Sequence, residues 1–262
     1  MSLDSYKSLC DDFYLDMYVN TELDLPTQRD TILAFFERIQ KQFPSMGNFC
    51  RRENNEYCLE EDRGTGQYRW VSLEADRINS GIVNPPSFEH AYDQARLILE
   101  LIPYMLGVNH LDIDLLDVTC TMDFDCADNH DEVIAEALVS QSAFNCFLDS
   151  SSIRPIDFSP SMVVALSEDC RTQGRISIES KTAPDLTGSY DLDQQSSAEA
   201  ISLSCTIRQY PKTTGRFDPL RSFENQCKLL EELMAEKIIP NFALPLTETI
   251  AQKRLNNFRE GS

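Results

Sequence analysis

The stretch LDIDLLDVTCTMDFDC, residues 111–126, decides how the chain is assembled. Its side chains alternate as an extended strand requires, but the alternation changes parity partway. Leu111, Ile113 and Leu115 share one face, and then Leu116, Val118, Cys120, Met122, Phe124 and Cys126 continue the apolar set on the other. A strand cannot change parity without an extra residue or a bend, which places one within Leu115–Asp117. Sixteen residues also exceed the usual length of a single strand. The reading is a bent strand, 111–126, shared by two units: one spanning residues 1–127, the other 128–262.

Upstream, DDFYLDMYVN places Phe13, Leu15, Met17 and Val19 on one face of a half-buried strand. PTQRDTILAFFERIQKQF follows, with Thr27 and Asp30 in capping-box spacing and Ile32, Phe35, Phe36, Ile39 and Phe43 in a helical stripe. ENNEYCLEED and QYRWVSLEADRI read as two strands joined by the turn RGTG. Ser87 then caps a second helix, FEHAYDQARLILELIPYML, which Pro103 should kink or end and Gly107 close. The order β-α-β-β-α-β predicts an α+β fold. Its antiparallel sheet carries helices on one face in the ferredoxin-like, split βαβ arrangement. That layout hosts many functions and names none.

Downstream, DNHDEVIAEALVSQSAF reads as a helix, with SMVVALSED and GRISIESKT as a hairpin. PDLTGSYDLDQQSSA is a polar loop, AISLSCTIRQY a strand, and RSFENQCKLLEELMAEKI a strong amphipathic helix begun by Asp218-Pro219 and ending at Ile239. This is a second, related α+β unit: a helix, three antiparallel strands and a long C-terminal helix. Its pattern raises the question of an internal duplication, for which the sequence offers no repeat.

Charge narrows the partners. The chain has 43 acidic and 23 basic residues, a formal net charge of −20. Residues 97–153 contain eleven acids and no Lys or Arg. Binding to nucleic acid or to an anionic membrane meets repulsion, so the expected partner is a basic or neutral protein, with no nucleic acid and no membrane. Salt adaptation explains the same bias without any partner. No apolar run is long enough for a membrane span, and the N-terminus has no secretion-signal pattern. Nine cysteines without a CxxC pair fit a reducing, cytoplasmic setting better than a disulfide framework or a structural zinc site. Exposed sheet edges predict a homo-oligomer.

No sequence motif carries chemistry. MDFDCADNHDE fails the Ca²⁺-loop pattern, since Ala127, Asp128 and Ile134 fall where an oxygen ligand, Gly and Glu are required. Asp128 or Asn129 serves better as the cap of the next helix, with Asp131 and Glu132 at its positive end. His90, His110 and His130 stand on separate elements and read as surface residues. Gly64-Thr65-Gly66 is a turn rather than a dinucleotide loop, and Trp70 reads as a core anchor. Arg51 and Arg52 read as salt-bridged hairpin surface among Glu53, Glu56, Glu60, Glu61 and Asp62. No cofactor is expected. The candidate site is an acidic interaction surface formed by Asp112, Asp114, Asp117, Asp123 and Asp125. It fits a non-catalytic binding protein. The alternatives are an enzyme using paired carboxylates, with or without a metal, and a small-ligand binder with an apolar cavity between sheet and helices.

Overall fold

The computed structural model describes residues 3–52, 56–139, 142–148, 155, 157–181, 200–211 and 216–260. The polar loop expected at 184–198 lies outside the described residues.

Residues 111–126 contribute the strand β6 (Ile113–Asp125), beside β1 (Asp12–Thr21). The strand does carry a bulge, but not within Leu115–Asp117, where the ladder to β1 is regular. Leu115 stands opposite Asn20 and Ile113 opposite Thr21, so Asp114 is the extra residue. Ile113 and Leu116 thereby face the same core, and Leu115 turns to the other side of the sheet.

After the short opening helix α1 (Leu3–Lys7), four strands, not two, stand between the first two long helices, α2 (Arg29–Gln42) and α3 (Phe88–Met105). They are β2 (Asn48–Arg51), β3 (Tyr57–Glu60), β4 (Tyr68–Leu73) and β5 (Arg77–Val83). QYRWVSLEADRI is not one strand, because the chain reverses at Glu74–Asp76, where the Glu74 amide donates to the Arg77 carbonyl at 2.9 Å. The second half supplies α4 (His130–Val139), β7 (Ser161–Ala165), β8 (Thr172–Lys181), β9 (Ala200–Gln209) and α5 (Pro219–Leu233). Among the described residues the nine strands form one sheet of order β2-β3-β4-β5-β1-β6-β9-β8-β7, and each of its ladders is antiparallel. The architecture is therefore α+β around a single large antiparallel sheet. Each half follows the same path: its first strand lies beside the last strand of its own meander, β1 beside β5 and β6 beside β9.

The helices gather on one face. α3 packs on β5, and α5 packs on β6 and β9. Ile32, Phe35, Phe36 and Ile39 of α2 are buried as their spacing predicts, although the N-cap is Gln28 without a side-chain bond rather than the Thr27 capping box. Ser87 caps α3, accepting from the His90 amide at 3.1 Å, and Pro103 is absorbed in the last turn of that helix. Asp218 caps α5.

Helical structure does not stop at Ile239. A π-helical run, Met234–Ala243, carries it through Pro240 into α6 (Leu244–Glu260). The wider π turn moves the preceding carbonyls away from the proline ring, which relieves the clash that breaks an α-helix. Met234, Ile238, Ile239, Ala243, Leu246 and Ile250 are buried along this extension, so packing outweighs the proline signal.

Candidate functional site

Among the described residues, the second face of the sheet carries no helix. Strand alternation sends Tyr14, Asp16, Tyr18 and Asn20 of β1 to this open face, where they meet Asp117, Thr119, Thr121 and Asp123 of β6. Ser202, Ser204, Thr206 and Arg208 of β9 continue the row, followed by Gln173, Arg175, Ser177 and Glu179 of β8. A shallow groove of about 460 Å³ crosses this face from Arg77 of β5 to Val163 of β7.

Hydroxyl pairs form its floor: Thr119 with Thr206 and Thr121 with Ser204, each at 2.9 Å. Its charged lining is balanced, Asp16, Asp117 and Glu179 against Arg77, Arg175 and Arg208. Arg77 and Arg208 lie toward the Thr21 end of β1, Arg175 and Asp16 near the middle and Glu179 toward the opposite end, where Asp12, Asp123 and Asp125 also stand, off the groove lining. Arg208 is held by Asp117 through Nη2–Oδ2 at 2.6 Å and Nε–Oδ1 at 2.9 Å, a bidentate pair. Its own pKa is raised, first by that hydrogen bond.

The five predicted aspartates do not share one environment. Asp117 and Asp123 are on the open face but buried, against the expectation of a solvated strand face. Asp117 is engaged by Arg208, and Asp123 accepts from the Ser202 hydroxyl and from Tyr14, whose pKa is raised first by burial and then by the charge of Asp123. Asp125 is exposed, and its carboxyl is shifted up by desolvation and by Asp11 and Asp12. Asp114 is the bulged residue, and Asp112 accepts from the Leu23 amide at 3.0 Å. From the strand rise, Asp117 and Asp125 stand roughly 26 Å apart.

Several side chains sit where the sequence did not place them. Trp70 is not a core anchor but part of the open face, tilted against Tyr68 at 5.9 Å. Its indole lies over Gly81. A Cβ there would collide with the Trp70 ring and the Asp16 carboxylate, so this close approach requires glycine. His130 is buried, bonded to Ser180 Oγ at 2.7 Å and to the Cys126 carbonyl at 2.9 Å. His90 meets Arg69, a residue only 5% exposed whose guanidinium also lies 4.5 Å over the Phe43 ring. Burial, then Arg69, lowers the pKa of His90. Asn129 is the cap of α4, accepting from the Glu132 amide at 3.0 Å. The Arg52 pairs with Glu56 and Glu60, at 3.2 and 2.9 Å, match the expected hairpin surface.

One pocket between sheet and helices, lined by Met17, Ala91, Ala95 and Phe223 among others, amounts to about 10 Å³. That is at the lower limit for one water molecule and gives no room for an apolar ligand. Among the described residues no group of three His, Cys, Asp or Glu could hold a metal ion, and no helix is long and apolar enough to cross a membrane. All nine cysteines are free thiols. Compared with protein-family models, curated proteins and solved structures, the chain matches none of them.

Proposed function

We propose that this is a non-catalytic binding protein whose open sheet face docks an extended segment of a basic or neutral protein partner. The observation that carries the reading is the groove of about 460 Å³ across six strands, lined by hydroxyl, acidic and basic side chains, on a face that no helix covers among the described residues. Strands lie about 4.8 Å apart, so the groove is roughly 24 Å wide, which matches about seven residues of extended chain. Basic side chains of the partner would lie toward Asp125 and Glu179, and neutral ones over the hydroxyl floor. Exposed carboxylates speed encounter, so association slows as salt rises. Asp117, committed to Arg208, is not available to a paired-carboxylate enzyme. Free thiols and the absence of a long apolar helix among the described residues fit a cytoplasmic setting.

A photo-crosslinking residue tests this reading. Placed at Thr206 in the groove, benzoylphenylalanine should yield a defined polypeptide adduct in cell extract, less of it at high salt. The same probe at Glu232, exposed on α5, should not. Equal adducts at both positions, or none at Thr206, would sink the reading.

A further inference from the structure

The two edges of the sheet are unequal. β2 is four residues long, carries Arg51, and has Phe49 tilted against Phe36 at 5.3 Å. Charge and brevity are the usual guards of an edge strand. β7, SMVVA, has no charged residue, and Met162 and Val163 are 64% and 57% exposed.

The register shows which backbone groups of β7 are free. The Leu166 amide donates to the Thr172 carbonyl and the Ile178 amide to the Pro160 carbonyl. Hydrogen-bonded and non-bonded pairs alternate in an antiparallel ladder, so Met162 and Val164 bond inward to β8. Ser161, Val163 and Ala165 then point their N–H and C=O groups outward, and no bond to them is found among the described residues.

We propose that β7 is the seam of a homodimer, pairing antiparallel with β7 of a second copy about a two-fold axis. The strand is self-complementary in that arrangement. Val163 meets its own counterpart, and Ser161 meets Ala165, so the outward groups of both strands close into about six hydrogen bonds. Electrostatics selects the same place. Two copies at −20 each repel, and a strand without charge is where they approach most easily. Val163 also lines the groove, so the seam joins the grooves of the two copies end to end. This inference stands whether or not the groove docks a partner.

Sedimentation equilibrium of the full chain should give a reversible dimer whose Kd tightens with added salt, as the mutual repulsion is screened. Val163→Pro removes an outward N–H and no bond of the β7–β8 ladder. It should weaken the dimer by more than about tenfold while leaving the circular dichroism unchanged. Val163→Lys provides the same test should the proline variant misfold. Val163→Cys should form an intermolecular disulfide through that residue, since facing Cα atoms in a bonded pair lie about 5.5 Å apart. A monomeric wild type at high concentration overturns the proposal. So does a dimer that survives both Val163→Pro and Val163→Lys, or that is lost on charge reversal of Arg51 at the other edge.

Discussion

The two faces of this sheet come from the same strands, residue by alternate residue, yet they obey different physics. On β6 the helix-facing set is Leu116, Val118, Cys120, Met122 and Phe124, all buried on the side of the strand that α5 packs against. The intervening set, Asp117, Thr119, Thr121 and Asp123, finds its partners only across strands. One face is held by area removed from water, the other by hydrogen bonds that water also offers. Stability should therefore reside on the helix face, leaving the open face free to vary with function.

The largest break in that comparison should come from Leu116→Ala. The side chain is fully buried, and its loss should reduce unfolding free energy by about 2–5 kcal/mol in a urea titration. Gln226→Leu comes next. This buried amide donates to the Leu116 and Ile207 carbonyls, both at 2.7 Å, tying α5 to two strands. Removing it should cost about 1–3 kcal/mol even though the replacement is apolar. On the open face, Thr206→Val removes only the bond to Thr119 and should cost less than about 1 kcal/mol, with any larger effect appearing in partner binding. If Thr206→Val destabilises the chain as much as Leu116→Ala, the division between the faces is wrong.

The smallest effect is one of pH. Burial and Arg69 depress the pKa of His90 below its ordinary 6.5. Between 6.5 and that lower value the unfolded chain binds a proton that the folded chain does not. Stability falls as pH drops through this window and levels off below it. His90→Gln should flatten this part of the stability–pH curve, and an unchanged slope would show that another group is responsible.

Much of this arrangement was legible in the sequence. Alternation in β1 and the parity change in 111–126 located the central strands and called for a bulge, because strict two-residue periodicity leaves no other solution, but the extra residue is Asp114 rather than one of Leu115–Asp117. β5 escaped notice because one strand was read through Ile78, and Asn79, Ser80 and Gly81 beyond it show no apolar alternation. Gly81 makes room for Trp70 and Asp16, a cross-strand demand that local spacing does not reveal. Pro240 masked α6 for a similar reason, since the burial of Ile238, Ile239 and Leu246 outweighs a local breaker. Of the candidate site, the sequence located the strand but not the fate of its carboxylates. Asp117 meets Arg208 across a separation of 91 residues, and Asp123 meets Ser202 across 79. No one-dimensional pattern records such pairings.

The pairing of β1 with β6 also has a consequence for the order in which the chain is made. Thr21 faces Ile113, so β1 leaves the ribosome well before the strand that closes its second side. At roughly 5–20 residues per second, the interval is about 5 to 20 s. β6 in turn waits for β9, whose Ala200 faces Asp125. A nascent intermediate thus carries a growing half-sheet with one apolar face and one unpaired rim. Synthesis speed and the reach of holding chaperones become determinants of yield, separate from the stability of the finished molecule.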